Sequence, residues 1–268
     1  MRVSIVTISF NQAKYLEEAI SSVIDQDYPD IEYIVVDAGS TDDSREIIRS
    51  YSSKIDHIIF EPDKGPADGL NRGFSLATGE KFGFLNSDDL LLPGAVKKIV
   101  DGFNQDKSTD VISGHTLIVD SDGNTIRQCY SDEFTAKKSA YNAAFLMQPS
   151  TFFKASRFKK INGFNINNRS NWDGELWIDL YLNGARFSLL DDFLSCYRIT
   201  RESITGSQKI DNLIKEFHEI KFKKIMNRDI QIIDIPIFWL LKLVRILSNP
   251  RTIQQRLSNG RVYGRSTK

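Results

Sequence analysis

Cysteine is scarce in this sequence of 268 residues, which contains only Cys129 and Cys196. Two separate cysteines provide neither a disulfide framework nor a paired-cysteine zinc motif, so disulfide-stabilised small domains and zinc modules are excluded. A reducing compartment fits this composition. The chain also lacks an apolar leader, because Met1 and Arg2 are followed directly by a predicted strand. We therefore expect no secretory signal and a cytoplasmic location.

A net charge is also absent, but the balance of 35 basic and 35 acidic residues hides an uneven distribution. Residues 1–235 hold 28 basic and 35 acidic residues, a net charge of −7. Residues 236–268 contain no Asp or Glu and seven basic residues: Lys242, Arg245, Arg251, Arg256, Arg261, Arg265 and Lys268. This basic segment matches no known nucleic-acid-binding fold, which argues against nucleic acid as a partner. With 41% hydrophobic residues, the chain is otherwise typical of globular proteins with a large core.

Long uncharged apolar runs are missing as well. The most apolar stretch, residues 230–247, is interrupted by Asp234, Lys242 and Arg245, so its uncharged part is shorter than the roughly 20 residues that a membrane span needs. We predict that residues 206–268 form a helical, basic extension, with Trp239 at a membrane interface and residues 236–268 against anionic headgroups. The chain would then lie peripherally on the inner face of the cytoplasmic membrane. The alternative is a helix that packs on the preceding domain or across a homodimer.

The first half of the sequence alternates strand and helix patterns. Strands are predicted at residues 3–8, 31–36 and 55–60 and from residue 81 onward, and helices at residues 15–24, 44–51 and 67–77. This alternation is typical of an α/β fold in which helices flank a mostly parallel sheet.

Three of these strands end on polar residues, at Asp37, near Lys64 and Gly65, and at Asp88 and Asp89. Because parallel strands share a carboxyl edge, and ligands bind at that edge, we expect these residues to form one site. Asp37 can accept hydrogen bonds from a nucleobase or ribose, and Lys64 or the amides around Gly65 can neutralise phosphate. The two adjacent carboxylates suit Mg²⁺ or Mn²⁺. The alternative for each residue is an ordinary turn former, helix cap or solvated side chain.

Five segments in a fixed order resemble the inverting family 2 glycosyltransferases of GT-A fold. They are VTISFN at residues 6–11, VVDAGSTD at 35–42, EPDKG at 61–65, ATGE at 77–80 and LNSDD at 85–89. The resemblance covers about residues 1–205. It implies a nucleotide-sugar-binding half at about residues 1–105 and an acceptor half at about residues 106–205.

The resemblance also implies roles for individual residues. In that family the residue matching Asp37 holds the nucleobase, and the end of the first strand lines the same pocket. The donor-binding residues implied here are Thr7, Ser9, Asn11, Asp37, Gly39, Lys64, Gly65, Asn86, Ser87, Arg198 and Arg201. Asp88 and Asp89 match the motif that binds a divalent cation, Mn²⁺ or Mg²⁺. Asn86 replaces the usual first aspartate of that motif, which removes a charge but keeps an oxygen ligand.

The second half matches the acceptor side of the family. A helix is predicted to begin near residue 171 and to carry Asp173, which matches the catalytic base, and Glu175, which matches a neighbouring acid. The alternative role for Asp173 is a helix cap. The family often has a basic or histidine-bearing loop near the diphosphate, and this chain has Arg198 and Arg201 there.

The resemblance predicts an enzyme that moves one sugar from a nucleotide-diphosphate sugar to a hydroxyl acceptor by direct displacement with inversion. A UDP-sugar is the expected donor, and a lipid-linked glycan in bacterial capsule or O-antigen synthesis is the expected acceptor. The first alternative is a non-catalytic nucleotide- or glycan-binding relative, which the altered Asn86 position would favour. The second alternative is a sugar nucleotidyltransferase. The absence of a Gly-rich loop with a lysine at the end of the first strand argues against it.

Overall fold

A curled, mixed sheet of nine strands forms the centre of the computed structural model, which describes residues 1–168, 171–200 and 210–260. The strands are β1 (Val3–Ser9), β2 (Ile31–Asp37), β3 (His57–Ile59), β4 (Lys81–Asn86), β5 (Leu90–Leu91), β6 (Val111–Val119), β7 (Thr125–Cys129), β8 (Thr151–Lys154) and β9 (Phe187–Arg198). The helices are α1 (Ala13–Ile24), α2 (Ser44–Ser50), α3 (Pro66–Leu76), α4 (Ala95–Gln105), α5 (Ala136–Ala140), α6 (Ala155–Lys160), α7 (Trp172–Leu182), α8 (Ile210–Met226), α9 (Asp234–Ser248) and α10 (Pro250–Asn259).

The strand order is β3-β2-β1-β4-β8-β6-β9-β5, and β7 pairs with β6. The first four of these strands run parallel, as the sequence predicts. Beyond β4 the sheet is mixed, because β8 is antiparallel to both β4 and β6 while β9 is parallel to β6. The predicted α/β fold is therefore confirmed. The parallel arrangement is confined largely to strands β1 to β4, in the first half of the chain.

Alternate residues of β1 and β2 face opposite sides of the sheet, which creates two cores. Ile5 and Tyr33 pack with helices α1, α2 and α4 on one side. Val6 and Ile34 pack with α3 and α7 on the other. A strand covered on both faces is mostly apolar, and a buried polar residue within it needs a partner, as Thr7 of β1 has in the Tyr33 hydroxyl. Each large apolar side chain buried in this way contributes about 1.5–3 kcal/mol to folding.

The C-terminal helices pack on the second half of the domain. Phe222 of α8 and Phe238 of α9 contact Tyr141, which follows α5, with ring centroids 5.4 and 4.9 Å apart. The buried carboxylate of Asp234 accepts hydrogen bonds from the Tyr141 hydroxyl at 2.8 Å and from Arg228 at 2.7 Å. The helical part of the predicted extension is thus present and docked. Within the described residues, no helix has the length and apolar content to cross a bilayer.

Candidate active site

The ends of β1, β2 and β4 lie side by side at one edge of the sheet. In the register of the strands, Ser9 lies opposite Asp37 on one side, and Ile8 lies opposite Asn86 on the other. The segment 88–89 follows β4 directly, and β5 then pairs with β9, so that this turn is held between the two halves of the domain. The structure therefore places the predicted strand-end residues along a single edge.

Asp37 is fully buried and organises the loop that follows β2. Its Oδ1 accepts hydrogen bonds from the backbone amides of Gly39 and Ser40 at 3.2 and 3.0 Å, and from Arg45 Nε at 2.8 Å. Its Oδ2 accepts a short hydrogen bond from the Ser40 hydroxyl. Gly39 adopts a φ of +104°, a conformation that favours glycine. The Asp37 carboxylate is thus hydrogen-bonded to groups of its own loop. A ligand would have to share the carboxylate oxygens with these donors or displace one of them.

The end of β1 presents one hydroxyl without a partner. Ser9 Oγ is buried and accepts or donates no hydrogen bond within the described part of the chain. Thr7, two residues earlier, lies fully buried, and its Oγ1 accepts a hydrogen bond from the Tyr33 hydroxyl at 3.0 Å. Asn11 has a φ of +52°, and its Oδ1 accepts a hydrogen bond from the Thr41 amide at 2.8 Å. Ser9 is therefore free for a ligand, whereas Thr7 and Asn11 hold the strand and the loop in place.

The turn after β3 brings another carboxylate to the same edge. Asp63 Oδ1 accepts a hydrogen bond from the Gly65 amide at 2.8 Å, and Gly65 takes a φ of +120° before α3 begins. Burial raises the pKa of Asp63, and the negative charges of Asp68 and Asp37 raise it further. A Cβ atom on Gly69 would lie 2.5 Å from Asp63 Oδ2, so a larger residue there would require the Asp63 carboxylate to shift. The Lys64 side chain is exposed at the edge of this turn.

The two aspartates after β4 have different surroundings. Asp89 is buried, and its carboxylate accepts hydrogen bonds from the Arg198 amide at 3.0 Å and from Asn86 Nδ2 at 3.2 Å. Asp88 is half-buried, and no side chain in the described ranges donates to its carboxylate. Burial raises the pKa of Asp88, and burial together with the Asp88 charge raises that of Asp89. Asp88 is thus the carboxylate open to a ligand, while Asp89 and the buried Ser87 belong to the turn itself.

The oxygen atoms at this turn fit a hard divalent cation. Asn86 Nδ2 points to Asp89 and to Gln148 Oε1, at 3.2 and 3.3 Å, which turns the Asn86 Oδ1 away from them. Asp88 and Asn86 could therefore supply a carboxylate and an amide oxygen, a donor set suited to Mg²⁺ or Mn²⁺ when substrate phosphates complete the shell. Among the residues that the structure describes, no cluster of three or more His, Cys, Asp or Glu side chains could hold a metal by itself.

Arg198 is the last residue of β9 and not part of a loop, which corrects the position expected from the sequence. It is only 2% exposed and lies over the Tyr15 ring, 4.7 Å from its centroid. Its Nε donates to the Asp88 carbonyl at 3.1 Å, and its Nη2 donates to Glu18 at 2.5 Å. The Arg198 guanidinium therefore stabilises the turn at Asp88 and Asp89 (the aspartate turn) through the backbone of Asp88 and not through its carboxylate. Arg201, the other arginine implied for donor binding, lies outside the described residues.

Asp173 lies in the first turn of α7, as the sequence predicts. Trp177 lies one turn farther along the same helix and stacks on Phe84 of β4, with centroids 6.2 Å apart. The start of α7 is thus anchored beside the strand that leads to Asp88. Burial raises the pKa of Asp173, although a hydrogen bond from the Gly174 amide opposes the shift. No side chain in the described part of the chain donates to its carboxylate, so it remains available as a proton acceptor.

Glu175 has the opposite environment two residues later. Its carboxylate accepts hydrogen bonds from Lys224 at 2.9 Å and from Asn168 at 2.8 Å. Burial alone would raise the pKa of Glu175, but these hydrogen bonds lower it. Lys224 also contacts Asp179 at 2.7 Å, so one lysine of α8 joins two carboxylates of α7. Glu175 therefore contributes to the docking of α8 on α7.

Three contributors were not anticipated from the sequence as site residues. Asp63 immediately precedes Lys64 and Gly65 in the sequence, but the sequence pattern predicted a role only for those two residues of the turn. Gln148, whose Nε2 donates to the Phe84 carbonyl at 2.8 Å, positions the Asn86 amide. Lys224 carries no local signal, because it lies 49 residues from its partner Glu175.

A family model described as Glycosyl transferase family 2 matches residues 4–163. An uncharacterized glycosyltransferase of Nostoc is 38% identical over 133 residues, which are 48% of this chain and 40% of that protein. A GalNAc(5)-diNAcBac-PP-undecaprenol beta-1,3-glucosyltransferase of Campylobacter jejuni is 29% identical over 219 residues, which cover 78% of this chain and 69% of that protein. The chain thus spans well under half the length of the Nostoc relative.

Two solved structures resemble the whole described fold. The mannosyltransferase PcManGT of Pyrobaculum calidifontis, in complex with GDP-Man and Mn²⁺, aligns with a TM-score of 0.66 and 18% identity over 96% of this chain and 74% of that one. TarS 1-349 of S. aureus, in complex with UDP-GlcNAc, aligns with a TM-score of 0.64 and 20% identity over 95% of this chain and 79% of that one. These likenesses confirm the predicted GT-A fold.

Proposed function

The chain belongs to glycosyl transferase family 2, and on that premise we propose that it transfers one sugar from a nucleotide-diphosphate sugar to a hydroxyl acceptor. The observation that carries the proposal is the convergence of Ser9, Asp37 and Asp88 at one sheet edge. Within the described part of the chain, Ser9 has an unpartnered hydroxyl, Asp37 a fully buried carboxylate, and Asp88 a carboxylate to which no side chain donates.

The nucleotide would bind across the ends of β1 and β2. The Ser9 hydroxyl can bond a nucleobase or ribose, and the buried Asp37 and half-buried Asp63 carboxylates can accept hydrogen bonds from base and ribose donors. The exposed Lys64 and the amides at the start of α3 favour a diphosphate nearby. A UDP-sugar is the donor that we propose, and the TarS complex supports it because that related fold holds UDP-GlcNAc.

The diphosphate would lie over the turn that contains Asn86 and Asp88. A divalent cation held there, Mn²⁺ or Mg²⁺, would neutralise charge on the departing diphosphate. Asp89 and Arg198 keep the turn rigid from behind. The PcManGT complex, which contains Mn²⁺, supports this assignment.

Asp173 is the base in this proposal. It accepts the proton of the acceptor hydroxyl, whose oxygen forms a bond to the anomeric carbon as the bond from that carbon to the diphosphate oxygen breaks. Attack on the face opposite the leaving group inverts the configuration. The nucleoside diphosphate leaves with the electron pair, and a positioned base contributes about 10²–10⁴-fold to such a step. The half-buried Asp173 carboxylate, whose pKa is raised, supports this role better than Glu175, whose oxygens accept hydrogen bonds from Lys224 and Asn168.

The acceptor that we propose is a lipid-linked glycan in the synthesis of a bacterial surface polysaccharide. The Campylobacter relative supports this class, because its name specifies an undecaprenol-linked glycan. The enzyme would then act at the inner face of the cytoplasmic membrane.

Calorimetric titration with UDP, GDP, CDP and dTDP, each with Mn²⁺ and with a chelator, tests the donor half of the proposal. We expect one nucleoside diphosphate to bind at least about tenfold more tightly than the others, and more tightly with Mn²⁺ than with chelator. Detection of sugar transfer from the matching nucleotide sugars to a polyprenyl-diphosphate glycan would then test the acceptor. Failure of every nucleotide to bind would reject the proposal, whereas binding without any transfer or hydrolysis would favour a non-catalytic relative.

A further inference from the structure

The outer face of α9 is apolar and uncovered in the described part of the chain. Its exposed side chains follow helical spacing, so they form one continuous surface, which we call the α9 outer face: Trp239, Leu240, Leu243, Val244 and Leu247. Trp239 is 67% exposed and Leu247 is 71% exposed. The turn before the helix adds Ile232 and Ile233, which are 85% and 68% exposed. A contiguous patch of this kind marks an interaction site.

The opposite face of the same helix is firmly docked. Phe238 and Leu241 pack against Tyr141 and Phe222, and Arg245 Nε donates to Asp132 at 2.8 Å. The inner face anchors α9 by packing and an ion pair, whereas the large apolar side chains of the outer face stay exposed among the described residues. Its apolar character therefore requires a separate explanation.

Charge decides between the possible occupants. Residues 235–268 contain no acidic side chain, and Lys242 borders the outer face with its ammonium 5.2 Å from the Trp239 ring centroid. Arg245 and Arg251 are already paired with Asp132 and Asp191, so Lys242 supplies the charge beside this face. A symmetric dimer through the face would bring Lys242 of both copies to one interface, where residues 235–268 offer no acidic partner. An anionic lipid surface suits both the apolar outer face and the basic charge beside it, because it accepts apolar side chains and attracts basic ones.

We propose that the α9 outer face docks the protein on an anionic phospholipid bilayer. The helix lies in the plane of the interface, with its leucines about 5–10 Å into the boundary between headgroups and acyl chains. Trp239 suits the interfacial position because its ring is apolar and its indole N–H is polar. The docked inner face then holds the α/β domain against the membrane. This inference depends on α9 alone and goes beyond the proposed transfer reaction.

The test is co-sedimentation of the full chain with vesicles of phosphatidylglycerol and phosphatidylcholine, compared with phosphatidylcholine alone. We expect binding to the anionic vesicles and a loss of at least about tenfold in Leu240→Gln/Leu243→Gln, because two exposed leucines no longer enter the interface. The matched control is Leu76→Gln/Leu182→Gln, which replaces two leucines that are 41% and 48% exposed on other helices. Lys242→Gln should weaken binding about fivefold, equivalent to about 1 kcal/mol per basic residue near an anionic surface.

Tryptophan emission supplies a second measurement at the proposed site. Trp177 is 3% exposed and Trp172 is half-buried, so a shift to shorter wavelength on vesicle binding should come from Trp239. Trp239→Phe should abolish the shift but keep the binding, and brominated lipids should quench the wild-type emission. Nucleoside diphosphate binding, measured on the same samples, should stay unchanged in every variant, which separates this inference from the donor site.

Three results would overturn the inference. One is wild-type protein that ignores anionic vesicles at low salt. The second is an equal loss of binding in the Leu76→Gln/Leu182→Gln control. The third is a dimer in sedimentation equilibrium that dissociates in Leu240→Gln/Leu243→Gln while the wild type shows no vesicle binding, which would assign the face to a second copy of the chain.

Discussion

The proposed donor half and the proposed acceptor half place their carboxylates by different means. Asp37 and Asp88 follow strands β2 and β4, and the parallel register brings them to one edge within a segment of about fifty residues. Asp173 and Glu175 share the first turn of α7, but their pKa values shift in opposite directions. The difference arises from Lys224, which is supplied by a helix from the far end of the chain. Strand order thus brings the residues of the proposed donor site together, whereas long-range packing gives two neighbouring acids different surroundings.

The largest effect should follow removal of the proposed base. Asp173→Asn should reduce turnover by about 10²–10⁴-fold, because the amide cannot accept the acceptor proton. Nucleoside diphosphate affinity should stay unchanged, since the proposed role of Asp173 is on the acceptor side. Steady-state kinetics and calorimetry on the same preparation measure both quantities.

Two further measurements serve as controls for this prediction: the pH profile of wild-type turnover and the stability of Asp173→Asn. Because the folded-state pKa of Asp173 is raised, wild-type turnover should fall as the pH drops through that pKa. Because folding raises the pKa of Asp173, ionisation of its carboxylate opposes folding above the unfolded pKa. Asp173→Asn should therefore be at least as stable as wild type at neutral pH. Turnover close to wild type would return Asp173 to the role of a helix cap.

The next largest effect should be on the cation-binding turn. Asp88→Asn removes the one open carboxylate and should weaken Mn²⁺-dependent nucleoside diphosphate binding by about 10–100-fold, with a smaller loss in chelator. Asp89→Asn is the comparison, because Asp89 accepts hydrogen bonds from the turn and from Arg198, so its replacement should lower the melting temperature as well. A wild-type enzyme that turns over equally well in chelator would contradict the assignment of a metal to Asp88.

A moderate effect on stability should distinguish Glu175 from Asp173. Glu175→Gln should lower the free energy of unfolding at pH 7 by about 1–3 kcal/mol, because charge-assisted hydrogen bonds from Lys224 and Asn168 are weakened. The pKa of Glu175 is lowered on folding, so the stabilisation is present above its unfolded value near 4.5 and disappears as the pH falls through the folded value. Urea titrations at pH 7 and below pH 4 measure the difference. A greater loss of stability in Asp173→Asn than in Glu175→Gln would reverse the comparison.

The smallest effect should come from the end of β1. Ser9→Ala should weaken nucleoside diphosphate binding about two- to tenfold, because one hydrogen bond contributes about 0.5–1.5 kcal/mol. Its stability should not fall, since the Ser9 hydroxyl has no partner in the described ranges. Thr7→Val is the matched control: it should lower stability by removing the contact with Tyr33 and leave nucleotide affinity unchanged. If Thr7→Val weakened binding as much as Ser9→Ala, the pocket would extend deeper into the sheet than proposed.

The sequence by itself determined the alternation of strands and helices, the single edge at which their polar ends meet, and the identity of most residues there. Those features depend on short-range patterns, because apolar periodicity and turn residues act over a few positions. Only the tertiary structure decided that Arg198 lies behind the aspartate turn, that Asp89 points inward while Asp88 stays open, and that Lys224 engages Glu175. It also separated the docked face of α9 from its exposed face, since residues 230–247 are apolar on all sides and only packing partners reveal which side is covered. These decisions depend on contacts between residues many positions apart, and no local pattern in the chain encodes them.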